Sequence, residues 1–127
     1  MSRTAETPLH KVRGMGASHS GTGHFRRQRV TAIALVPLAL WFGFTVLGLA
    51  GGNEVDALNY FEHPINAILM GAFAVIMLYH MGLGLQVIID DYVHSPGGKF
   101  ALFLLVRFVM IATMSTSLFA LIRIAVP

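Results

Sequence analysis

At 127 residues, with 55% of them hydrophobic and 12% charged, and with a mean hydropathy of +0.68, the chain is one domain at most. It departs from the roughly 25% charge of a water-soluble domain. Nine Lys and Arg against six Asp and Glu leave a net charge of +3. No cysteine is present, which excludes disulfides, thiolate metal sites and iron-sulfur ligation by this chain and leaves histidine to carry any metal chemistry.

Taken in chain order, residues 1–29 contain Arg3, Lys11, Arg13, Arg26, Arg27 and Arg29 and no apolar run long enough for a signal-peptide core. They read as a polar basic tail. Residues 30–127 read as a three-helix transmembrane domain, because three apolar blocks follow: Val30 to Ala50, Ile65 to Ile89 and Phe100 to Val126. Each reaches the roughly 20 residues that cross a bilayer as helix, and lipid favours helix because every backbone N–H and C=O must be paired within its own segment. The fold class is therefore an all-α membrane protein with spans at about 30–50, 65–89 and 100–126. Pro37 lies inside the first block and predicts a kink. The segment "GLAGGN" closes helix one, Pro64 suits an early position of helix two, and "SPGG" terminates that helix.

The loop between the first two blocks holds Glu54, Asp56 and Glu62 with no Lys or Arg, whereas the basic residues precede helix one. The positive-inside rule then places the N-terminus in the cytoplasm, the acidic loop and the C-terminus outside, and the turn with Lys99 inside. Arg123, on the side that the rule disfavours, can snorkel to the interface.

Within helix two, the run "LYHMGLGLQVIIDDYVHSPGG" puts His80 about nine residues from the inner end of the apolar block, roughly 14 Å inside at 1.5 Å per residue. An ionisable group at that depth faces protein rather than lipid. Two readings stand side by side: a neutral imidazole hydrogen-bonded to a neighbouring helix, and a ligand or relay. Gly82 and Gly84 leave room for a planar group or for close helix packing. Asp91, eleven residues on, lies on nearly the same side of the helix about 16 Å away, with Asp90 and Tyr92 beside it at the boundary. Acids at a helix C-terminus oppose the dipole, and Arg107 or the arginines before helix one are the cations available to them. His10, His19 and His24 form no metal-binding spacing, and His63 and His94 read as loop residues.

The run "HMGLGLQVIIDDYV", together with "RRQRVTAIAL" opening helix one and the three spans, resembles the small hydrophobic membrane anchor subunit of succinate dehydrogenase (respiratory complex II), over about residues 24–125. The resemblance implies that His80 is one axial ligand of a haem b shared with a second, larger anchor subunit of cytochrome b type. It implies that Tyr92 donates a hydrogen bond to a ubiquinone carbonyl, that Asp91 tunes that quinone-binding site, and that Arg29 lies near the haem propionates and the quinone. It implies partner subunits carrying FAD and iron-sulfur clusters, a place in the tricarboxylic acid cycle and electron transport, and a multi-pass location in the bacterial inner membrane, with no catalysis by the chain alone and no nucleic-acid partner. Asp90 takes no role from it, and His24 is out of register with a histidine of some members. Two alternatives remain: the anchor of a fumarate reductase, and a small transporter or proton-relay subunit using His80 and Asp91.

Overall fold

The computed structural model describes residues 19–126. Residues 1–18, with Arg3, His10, Lys11 and Arg13, lie outside the described residues. Among the described residues four helices occur in the order α1 (His19–Leu49), α2 (Glu54–Glu62), α3 (Pro64–Tyr92) and α4 (Pro96–Ala125). Helices α1, α3 and α4 have 31, 29 and 30 residues, which at 1.5 Å per residue is roughly 43 to 46 Å, more than a hydrocarbon core of ~30 Å requires. All three are apolar enough to cross a membrane. The expected all-helical class with three spans is the observed one.

The boundaries differ from expectation in three places, each with a local cause. Helix α1 starts at His19, well before the apolar block, because Arg26, Arg27, Gln28 and Arg29 are good helix formers and Arg27 Nε donates to the carbonyl of Gly23 at 3.2 Å. It then runs unbroken through Pro37. Leu49 ends it; Gly51 adopts φ +92°, and the N–H of Gly52 returns to the Leu49 carbonyl at 3.0 Å. The acidic loop is itself helical over Glu54–Glu62: Asn53 Oδ1 accepts from the Asp56 N–H at 3.1 Å while Asp56 Oδ2 accepts from the Asn53 N–H at 2.9 Å, a reciprocal capping box. Finally, α3 ends at Tyr92, before "SPGG", and Pro96 opens α4 instead of merely closing α3. Proline at the first helical position lacks only an N–H that had no intrahelical partner there.

Helix α3 is the central element, with α1 and α4 each packed mainly against it and α2 resting on α3 and α4. Phe42 of α1 stacks on Phe73 of α3 with centroids 4.6 Å apart. At the same end of the bundle Tyr60 ties three helices: its hydroxyl pairs with Thr45 Oγ1 at 3.1 Å and its carbonyl accepts from Asn66 Nδ2 at 2.9 Å. One end of the bundle is acidic, with α2, and the other is basic, with Arg26, Arg27, Arg29 and Lys99. Among the described apolar residues only Leu83 and Ile89, both on α3, are buried, and the others are half-buried or exposed.

Candidate functional site

Helix α3 presents His80 to α1, and two α1 side chains receive it. Thr31 Oγ1 is 2.8 Å from His80 Nδ1, and Gln28 Nε2 is 3.5 Å from His80 Nε2. Because Gln28 and Thr31 are three apart on a helix, they share a face. They line up along one imidazole. The Thr31 hydroxyl also donates to the carbonyls of Arg27 at 2.8 Å and of Gln28 at 3.1 Å. His80 and Gln28 are half-buried. Around them two buried polar atoms lack any partner, Gln28 Oε1 and, one turn nearer the start of α1, His24 Nε2.

These contacts give the level of His80 relative to α1. On α3 alone it lies twelve residues before Tyr92, roughly 18 Å from the helix end. Against α1 it stands level with Gln28 and Thr31, where the basic segment gives way to the apolar block. The cause is the length of α1, which continues its helix through the basic segment alongside the last turns of α3.

The glycines divide between two tasks. A Cβ on Gly82 would come within 2.6 Å of Met110 Sδ, so Gly82 is where α3 and α4 approach closely. A Cβ on Gly84 would meet only Gln28 Nε2, at 3.9 Å, so Gly84 leaves the surface beside His80 without a side chain. On a different face of α3, a groove of about 460 Å³ against α4 is lined by Tyr79, Gly82, Gln86, Phe103, Arg107 and Met110.

Asp91 and Tyr92 are exposed, Tyr92 at 79%. Neither touches His80. The cation expected for the acidic pair is supplied by neither Arg107 nor the arginines of α1: Lys99 Nζ lies 3.2 Å from Asp90 Oδ1 and donates to the Asp90 carbonyl at 3.1 Å. The short α3–α4 turn brings Lys99 back to the end of α3, whereas Arg107 is two turns farther along α4, in the groove. Arg29 likewise makes no contact with His80; its guanidinium rests over the Phe25 ring at 5.0 Å. Between His80 and Asp91 the same side of α3 carries Gly84, Val87 and Ile88, which offer no side-chain hydrogen bond for a proton path.

Sequence reasoning missed Gln28 and Thr31. A signal existed, since they are two polar residues at helical spacing at the mouth of an apolar span, but nothing in the sequence says which helix α1 faces. Among the described residues no three His, Cys, Asp or Glu side chains gather as a metal site.

A family model, the succinate dehydrogenase/fumarate reductase transmembrane subunit, matches residues 3–114. The chain is 31% identical over 117 residues, 92% of its length and 90% of the relative's, to the succinate dehydrogenase hydrophobic membrane anchor subunit of Paracoccus denitrificans. It is 32% identical over 103 residues to the same subunit of Rickettsia bellii, covering 81% and 82% of the two chains. With the succinate dehydrogenase membrane anchor subunit of Reclinomonas americana the figures are 32% over 112 residues, 86% and 90%. No solved structure gives a significant match. With three membrane-length helices and a family match across most of its length, the chain belongs to the succinate dehydrogenase/fumarate reductase transmembrane subunit family.

Proposed function

We propose that the chain is the small anchor subunit of a succinate:ubiquinone oxidoreductase and that it brings half of a haem b site and part of a ubiquinone site to a complex with other subunits. The second half of the haem site would come from a larger anchor subunit, and an iron-sulfur and a flavoprotein subunit would deliver electrons from succinate. The basic end of the bundle, with the α3–α4 turn, would face the cytoplasm of a bacterium, by the positive-inside rule.

The observation that carries the haem assignment is the setting of His80. Its Nε2 has only a long contact to Gln28, Gly84 leaves the adjoining surface bare, and Gln28 Oε1 and His24 Nε2 are buried polar atoms without partners. A single imidazole beside an uncrowded, partly polar surface fits one axial position of a haem. Bound there, a haem b supplies one-electron storage. His80 would ligate through Nε2. Arg29 would exchange its packing on Phe25 for a propionate carboxylate, a charge-assisted contact at the level of the site.

At the helix end, Tyr92 would donate its hydroxyl proton to a quinone carbonyl oxygen in a hydrogen bond, polarising the carbonyl as it is reduced, while the Asp91 carboxylate tunes that bond and the supply of protons. Both side chains project from the last turn of α3 and are exposed among the described residues, and the remaining walls of such a pocket would come from other subunits.

The absorption spectrum of the purified complex tests the ligand assignment. In the His80→Ala variant the haem b signal is lost or strongly altered; an unchanged signal would sink the assignment.

A further inference from the structure

Thr31 has no part in the sites assigned above, yet its hydroxyl stands between groups that compete for one proton. On one side are the carbonyls of Arg27 at 2.8 Å and Gln28 at 3.1 Å, which only accept. On the other is His80 Nδ1 at 2.8 Å. A threonine hydroxyl has one proton and two lone pairs. With the proton committed to a backbone carbonyl, Oγ1 can only accept from His80, so Nδ1 carries the hydrogen. The second contact is compatible with this: with Gln28 Nε2 as the donor, His80 Nε2, 3.5 Å away, holds a lone pair.

We propose that Thr31 is the positioning residue that fixes His80 as the Nδ1–H tautomer and aims its Nε2 lone pair at the site, which rests on the reading of His80 as a haem ligand. The hydrogen-bond chain runs from Nδ1–H of His80 through Thr31 Oγ1–H to the carbonyl of Arg27, so the backbone of α1 sets the orientation of an imidazole carried by α3. A ligating imidazole needs such a partner on its second nitrogen, which fixes the tautomer and raises ligand basicity. The two α1 contacts are unequal in the right sense. The short bond to Thr31 holds Nδ1, and the long one to Gln28 yields at Nε2 when a ligand arrives.

The test uses the whole purified complex with Thr31→Val, which keeps the shape and removes the hydroxyl, and Thr31→Ser, which keeps the hydroxyl. Two readouts are taken: the haem-to-flavin ratio after extended washing, and the haem midpoint potential by redox titration of the absorption spectrum. In Thr31→Val, haem is retained roughly tenfold more weakly, the scale of losing such a partner, and the potential moves upward because the imidazole donates less to the ferric iron. In Thr31→Ser both return to wild type. A Thr31→Val complex with wild-type retention and potential overturns the proposal, and so does a lower yield of complex with both values unchanged, which is what a packing role alone gives. The His80→Ala variant separates the two readings. If it loses haem while Thr31→Val changes nothing, only the role of Thr31 fails; if it keeps an unaltered haem signal, the ligand reading and this one fail together.

Discussion

At the scale of single residues, the side chains with chemical potential on α3 fall into two groups that never meet. His80 is gripped by α1, while Asp91 and Tyr92 stand free twelve residues on, and Asp90 is held by Lys99. The Asp90–Lys99 pair belongs to stability rather than to chemistry, and as an exposed pair it contributes no more than about 1 kcal/mol. Tyr92 is different, because it is exposed, donor-bearing and unpartnered. Tyr92→Phe is expected to lower quinone reduction about tenfold, the worth of one hydrogen bond of roughly 1.4 kcal/mol. Succinate oxidation with an artificial acceptor, measured on the same preparation, stays at the wild-type rate; an equal fall in both activities would count against the quinone role. His80 was legible as a candidate from residue type and position, since an imidazole inside apolar helix is costly, whereas Asp91 and Tyr92 gained their roles from the resemblance of the motif that holds them. Gln28 and Thr31 were not legible, because a glutamine and a threonine beside a basic cluster look like ordinary interface residues until the facing helix is known.

At the scale of elements, α3 is the helix on which the others depend, and its glycines measure how closely. Gly82 faces the thioether end of Met110, whose unbranched side chain can swing aside, so Gly82→Ala is expected to cost no more than about 1 kcal/mol. Gly82→Leu cannot be accommodated by that movement and separates α3 from α4. Thermal unfolding of the purified complex in detergent, followed by helix signal, checks the contrast; equal midpoints for the two variants would mean that α3 and α4 do not approach here. Element existence was legible from the three apolar blocks, but element ends were not. The basic segment before Val30 continues α1 because tertiary contact with α3 sustains it through Gln28 and Thr31. The nine-residue α2 was hidden among acidic residues, although Asn53 and Asp56 at capping-box spacing were its local signature.

At the scale of the whole molecule, three long helices among whose described residues only Leu83, Ile89 and Thr45 are buried form little core of their own. In a bilayer, lipid covers such apolar surface without penalty, and the partner subunits proposed above would cover the rest. Charge is segregated end to end, and the proposed orientation can be read directly because the chain has no cysteine to interfere. Glu62→Cys, at the acidic end, is expected to react with a membrane-impermeant maleimide in intact cells. Gly97→Cys, where an added Cβ meets open space, is expected to react only after lysis. The reverse pattern would invert the topology.

Composition and the position of charge were enough to make this a three-span helical membrane protein and to single out His80, because lipid imposes helix on every apolar block and penalises an ionisable group inside it; Asp91 and Tyr92 were assigned through the resemblance of their motif to a family. What required the tertiary structure was register between helices. Only the packing of α1 on α3 brings Thr31 and Gln28 to His80, and only the short α3–α4 turn gives Lys99 rather than Arg107 to Asp90, since side chains from different helices meet according to the lengths, caps and close approaches of those helices and not according to their order in the chain.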